Sequence, residues 1–105
     1  MGFKLKVLNL FQKEGCLECE KAGKVIGAFF AGYNISSSKI TYIDLDDRNN
    51  INGQMKKDWF DIDVVPVTLI FQTNGEDQET DDTLIFRKDG EAPTMEELKD
   101  IFLEN

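Results

Sequence analysis

The chain predicts an α/β fold in the order β-α-β-α-β-β-α, a mixed four-stranded sheet flanked by three helices, and three stretches carry that expectation. Apolar residues recur at intervals of three and four from Cys16 to about Tyr33, the period of a helix face, directly after an alternating, strand-like start. Val64 to Phe71 is the most apolar segment and carries a proline near its beginning, as a buried strand does. Thr94-Met95-Glu96-Glu97 is a capping box that opens a last helix.

Residues 3 to 11 alternate as a half-buried to mostly buried strand, with Leu5, Val7, Leu8 and Leu10 as its apolar members, and Gln12-Lys13-Glu14-Gly15 is the turn that ends it. The helix that follows presents Cys19, Ala22, Val25, Ile26, Phe29 and Phe30 on one face. An interior glycine costs about 1 kcal/mol against alanine, so Gly23 and Gly27 are read as sites of close packing onto a sheet, with Gly32 or Asn34 as the C-terminal stop. After the loop Ser36-Ser37-Ser38, Lys39 to Leu45 is a second strand rich in β-branched and aromatic residues.

A shorter helix runs from Asn49 or Asn50 to Trp59 and carries Ile51, Met55 and Trp59 on one face. Two strands joined through a helix form a βαβ unit, whose right-handed crossover sets them parallel. Trp59 and Phe60 are assigned to the core or its cap, not to a substrate platform. Proline gives no N–H to a ladder, so Pro66 precedes a strand proper of Val67 to Phe71. Thr73 to Asp82 is a polar loop with an Asn74-Gly75 turn signal. Thr83 to Arg87 is the partner strand, Lys88-Asp89-Gly90 a turn, and the last helix buries Met95, Leu98, Ile101 and Phe102.

With 105 residues, 41% of them apolar and eight of them Phe, residues 1–105 suffice for one domain with a core of its own, and the fold needs no disulfide to brace it. The N-terminus alternates charged and apolar side chains, without the continuous apolar run of a signal peptide, and nothing approaches the roughly 20 apolar residues of a membrane span. A soluble protein of a reducing cytoplasm is therefore expected. The net charge of −8, concentrated at Asp44 to Asp47, Asp58 to Asp63 and Glu76 to Asp82, opposes binding to a phosphate backbone and so to nucleic acid. These carboxylates read as solvated faces, or else as a docking face for a basic partner.

The two cysteines stand three apart at the first strand-to-helix junction, Cys16-Leu17-Glu18-Cys19. A disulfide at that spacing closes a loop too small to stabilise a fold, so the pair points to chemistry. Cys16, at the helix start, faces free N–H groups and the positive end of the helix dipole, which lowers a thiol pKa; Cys19, one turn in and facing the core, is placed to resolve a mixed disulfide. Lys13, Lys21 and Lys24 favour the thiolate and Glu14, Glu18 and Glu20 oppose it, which tilts the pair toward a reductant. Two buried structural cysteines are one alternative. Half of a tetrahedral zinc site is another, although without His or a third Cys its remaining ligands would be carboxylates or come from a second subunit.

Cys16-Leu17-Glu18-Cys19, Val65-Pro66 before the strand Val67 to Phe71, and the Gly90 turn before the last helix resemble the thioredoxin/glutaredoxin superfamily over essentially the whole chain, closest in architecture to glutaredoxin-like proteins. The resemblance implies a thioredoxin-like fold of glutaredoxin type, a cis Val65-Pro66 bond beside the nucleophilic sulfur, and a Val65 backbone that pairs with an incoming peptide or with glutathione. It also implies that Lys13 meets a glutathione carboxylate and that Gly90 belongs to the substrate-binding surface. The sequence departs from the family at Leu17-Glu18 between the cysteines. It departs again at Asp89-Gly90-Glu91, where glutaredoxins have a double glycine and where Glu91 would repel that carboxylate. The extra N-terminal strand and helix of thioredoxins are missing before Cys16, and the loop from Thr73 to Asp82 is long for the family hairpin.

The expected function is thiol-disulfide exchange, with Cys16 attacking a substrate disulfide and Cys19 resolving. The expected partners are a disulfide-containing protein or small molecule and an electron donor, either glutathione or a reductase. A monomer with no bound cofactor, no metal and no membrane contact completes the expectation. The alternative is a non-catalytic binding module of the same fold, or a protein that holds a metal with its two cysteines.

Overall fold

In the computed structural model, which describes residues 5–73 and 83–103, β1 (Leu5–Gln12) and β3 (Val67–Thr73) are the central strands of a sheet ordered β2-β1-β3-β4. β2 (Ile40–Asp44) runs parallel to β1, β3 runs antiparallel to it, and β4 (Thr83–Asp89) runs antiparallel to β3. The helices are α1 (Leu17–Gly32), α2 (Ile51–Trp59) and α3 (Met95–Phe102), and Ser37–Lys39 form a single 3₁₀ turn ahead of β2. The observed order is β-α-β-α-β-β-α with the expected parallel pair. Residues 3 and 4 of the expected first strand, the acidic run Glu76 to Asp82 and the Asn74-Gly75 turn lie outside the described residues.

β1 carries core residues on both of its faces, Leu8 and Leu10 on one and Phe11 on the other. On one face Leu8, Leu10 and Ile70 pack against Ala22, Ile26, Phe29 and Phe30 of α1 and Leu98 of α3. On the other, Phe11, Ile43, Val67 and Leu69 meet Leu45 and Ile62, with Phe60, Val65 and Phe71 half-buried around them. The capping box of α3 forms as expected, with Glu97 N–H donating to Thr94 Oγ1 at 3.1 Å and Thr94 N–H donating to Glu97 Oε1 at 2.9 Å. Met95, expected on the buried face, is 40% exposed, because it begins the helix while the docking residues Leu98, Ile101 and Phe102 come a turn later.

α1 ends as the sequence suggested. Asn34 adopts a left-handed φ of 60°, and the Ile35 N–H closes back onto the Phe30 carbonyl at 2.9 Å, so the last carbonyls are satisfied. The glycines of α1 are a different matter from the expectation. A Cβ placed at Gly23 or Gly27 would meet nothing within 4 Å, so neither marks a close approach to the sheet. Cys19, Ala22, Ile26, Phe29 and Phe30 make that contact, and the two glycines lie on its flank. Gly23→Ala and Gly27→Ala should each stabilise the protein by about 0.5–1 kcal/mol through helix propensity, seen as a higher urea midpoint with unchanged slope.

The close approach occurs at α2. A Cβ on Gly53 would stand 2.8 Å from Ile43 Cγ2 and 2.8 Å from Asn50 Nδ2, so α2 rests on the sheet through its glycine. Gln54 Nε2 donates to the Leu45 carbonyl at 3.1 Å and fixes the same edge. Residues two apart on a helix point about 200° apart, so seating Gly53 inward turns Ile51, Met55 and Trp59 outward. They are 67%, 62% and 82% exposed. The apolar stripe of α2 is therefore not a core face, and Trp59 is neither core nor cap. Phe60 is half-buried, its ring 5.7 Å from that of Phe71. Among the described residues no helix is long and apolar enough to cross a membrane.

Candidate active site at the start of α1

β1 delivers the chain to a tight turn in which Gly15, at φ +78°, takes a conformation that favours glycine. Leu45 N–H donates to the Gln12 carbonyl at 2.9 Å and Glu14 N–H to Asp46 Oδ2 at 2.7 Å, which tie this turn to the end of β2. Cys16 then serves as the N-cap of α1, in extended conformation, and its Sγ accepts the Cys19 N–H at 3.0 Å. A sulfur thus occupies the position where serine or aspartate oxygens ordinarily satisfy the free N–H groups of a first turn. Cys16 is half-buried while Cys19 is 2% exposed, and the two form a disulfide with Cα atoms 5.1 Å apart.

Pairing of Phe11 with Val67 brings Pro66 to the same end of the sheet from which residues 13–15 lead to Cys16. The Val65–Pro66 bond is cis, Pro66 is buried, Val65 is half-buried, and Val64 is 49% exposed. Gly90 meets this segment directly: its N–H donates to the Pro66 carbonyl at 2.7 Å, and its φ of +82° makes that turn possible. Val65 lies outside the β3–β4 register, and among the described residues its N–H and C=O take part in no loop hydrogen bond. Lys13 lies exposed on the turn before Gly15 and makes no side-chain hydrogen bond to another described residue. The structure thus joins Pro66 and Gly90, sets Cys16 and Cys19 at the same end of the sheet, and leaves Lys13 at the margin.

Glu18 is more than an acidic neighbour of the thiols. Its Oε2 accepts the Ala92 N–H at 3.3 Å, binding the first turn of α1 to the connection between β4 and α3. A contact across 74 residues leaves no local signature in the sequence. Leu17, between the cysteines, is 81% exposed, an apolar side chain set on the surface beside the disulfide.

Ion pairs lie on β4 just before Gly90 and between β4 and α3. The Arg87 guanidinium donates from Nε and Nη2 to both Asp89 oxygens at 2.8 and 2.9 Å and from Nη1 to the Phe60 carbonyl at 2.7 Å. This fork holds the Asp89 carboxyl below its ordinary value and raises Arg87. Burial pushes Glu97 up, but the Thr94 N–H and the Lys88 ammonium, the latter 3.0 Å away, together outweigh it and hold that carboxyl low. Both folded values lie below the unfolded ones, so the stability they give is present above about pH 4 and is lost as pH falls through the folded values. The Asp89 and Glu97 side chains are 38% and 36% exposed, which limits each pair to about 0.5 kcal/mol. Urea midpoints should fall on acidification below about pH 4, less steeply in Asp89→Asn.

No protein-family model and no curated protein matches this sequence. Among solved structures, that of a thioredoxin-2, a component of malaria parasite protein secretion machinery, aligns with a TM-score of 0.68 at 14% identity, covering 97% of this chain and 84% of that one. A second, the structure of a malarial protein, aligns with a TM-score of 0.55 at 16% identity, covering 89% of this chain and 88% of that one. The chain has a thioredoxin-like fold, with three helices on a mixed four-stranded sheet. Its cysteine pair, within disulfide distance at the head of α1, fits a redox role.

Proposed function

We propose that this thioredoxin-like chain is a thiol-disulfide oxidoreductase in which Cys16 attacks and Cys19 resolves. The carrying observation is the placement of the half-buried Cys16 sulfur as the N-cap acceptor of α1, bridged to a buried Cys19. In the reduced protein the Cys19 N–H and the helix dipole favour the Cys16 thiolate. That thiolate attacks one sulfur of a substrate disulfide, forming a mixed disulfide and expelling the other substrate sulfur as a thiolate. Cys19, deprotonated, then attacks Cys16 Sγ, releases the second substrate thiolate and leaves the Cys16–Cys19 disulfide. Two electrons pass from protein to substrate, and an external dithiol returns them.

The substrate class that suits the surface is an extended peptide bearing a disulfide. Val65, whose backbone makes no loop hydrogen bond among the described residues, offers N–H and C=O groups for strand addition, and the exposed Leu17 and Val64 supply apolar contact. The exposed Glu91 next to Gly90 works against the carboxylates of glutathione, whereas Lys13 favours one, so a protein reductase is the better-suited donor. The test is reduction of insulin disulfides by dithiothreitol with catalytic amounts of the protein. Acceleration over dithiothreitol alone is expected; a rate equal to the reductant alone rules the proposal out. Replacing dithiothreitol with glutathione in the same assay distinguishes the donors.

A further inference from the structure

The sheet face under α2 is only partly covered, because α2 has nine residues and is seated at Gly53 over Ile43. Beyond that seat a cleft of about 630 Å³ opens between the strands and the helix. Val7 and Phe71 form its apolar base, and Met55 and Trp59, from the outward stripe of α2, form its wall. That volume falls within the usual range for small-molecule sites, which runs from about 300 to 1,000 Å³.

A polar pair interrupts this apolar lining. Asn9 sits at the middle of the central strand β1, 4% exposed, and its Oδ1 accepts from Lys56 Nζ at 3.0 Å. An ammonium only donates, so the amide oxygen must turn toward it, which leaves the two Nδ2 hydrogens of Asn9 for another acceptor. Among the described residues, Asn9 Nδ2 donates no hydrogen bond and no carboxylate lies within ion-pair distance of Lys56. Lys56 keeps further N–H groups as well. The Asn9–Lys56 pair therefore offers one positive charge and unfilled donors, a head that fits a group with acceptors only. That this cation has no carboxylate partner among the described residues, in a chain of net charge −8, sharpens the point.

We propose that the cleft binds a small organic monocarboxylate, its carboxylate on Lys56 and Asn9 and its apolar body between Val7, Phe71, Met55 and Trp59. One ammonium, with no arginine and no glycine among the described lining residues, suits a single charge on an apolar body better than a phosphate. The site lies on the face of the sheet opposite α1, so it does not rest on the redox reading and its test does not use the cysteines.

The test titrates the intact oxidised protein with 4-phenylbutyrate and, in parallel, with the uncharged 4-phenylbutyramide. Trp59 is the only tryptophan of the chain and stands on the cleft wall, so its emission reports occupancy directly. The expected result is a saturable blue shift, with the acid binding at least about tenfold more tightly than the amide. Lys56→Met should remove that preference in a protein that still unfolds cooperatively, and Met55→Glu should weaken the acid and the amide together. Amide NMR shifts should cluster at Val7, Asn9, Thr41 and Phe71. Equal affinity for acid and amide in the native protein, no saturable change in Trp59 emission, or shifts that map elsewhere would each overturn the proposal.

Discussion

Cys16→Ser should lose insulin-disulfide reduction by at least about a thousandfold, to the rate of the reductant alone, because a serine hydroxyl in the same N-cap position is not ionised and cannot open a disulfide. The substitution should cost little stability. Serine is among the preferred N-cap residues, and its Oγ can accept the Cys19 N–H that Sγ accepts in the native protein. Folding and activity are thereby separated in one variant. Cys19→Ser should behave differently: the Cys16 thiolate still attacks, but no thiol remains to resolve it, so the protein accumulates as a mixed disulfide with substrate. Mass spectrometry of the quenched reaction reads this directly, as a mass increase in Cys19→Ser and none in Cys16→Ser. If Cys16→Ser kept native activity, or if the trapped species formed on Cys19 in its absence, the assignment of roles would be wrong.

The order of the elements and the position of the cysteine pair were legible because each rests on local chemistry. Alternating and helical periods run through residues 5–12 and 17–32, the capping box at Thr94 is a four-residue signal, and the spacing of Cys16 and Cys19 needs only one helical turn. A local pattern does not show which side of an element meets the sheet. Ile51, Met55 and Trp59 have the spacing of a buried stripe, and only the 2.8 Å approach of a Gly53 Cβ to Ile43 reveals that α2 sits the other way around. Gly23 and Gly27 differ from Gly53 in the same way, since a glycine in a helix signals close approach in one setting and nothing in another. Glu18 with Ala92, and Asn9 with Lys56, pair residues 74 and 47 positions apart, beyond the reach of any local pattern.

Phe29→Ala should be the most damaging single truncation in the core, lowering stability by about 3–5 kcal/mol, a large share of the roughly 5–15 kcal/mol available to a domain of this size. Phe29 has no exposed surface, and its ring centroid lies 5.9 Å from that of Phe30, 4.9 Å from Tyr33 and 6.0 Å from Phe102. Those partners come from α1, from its C-cap and from α3, so the cavity opens where the two helices on that face of the sheet meet. Phe102 also packs edge-on to Phe30 at 5.2 Å, which keeps α3 from closing over the gap. The loss should therefore appear as the transfer term plus an uncollapsed cavity, at the upper end of the range. Phe29→Leu retains most of the volume and should cost only about 1–1.5 kcal/mol. The effect reaches the site, because α3 anchors the connection through which Gly90 holds Pro66 and Ala92 holds Glu18. Urea unfolding gives the energies, and hydrogen exchange at the Gly90 and Ala92 amides should quicken in Phe29→Ala. A cost below about 1 kcal/mol for Phe29→Ala would show that the aromatic cluster does not hold α3 in place.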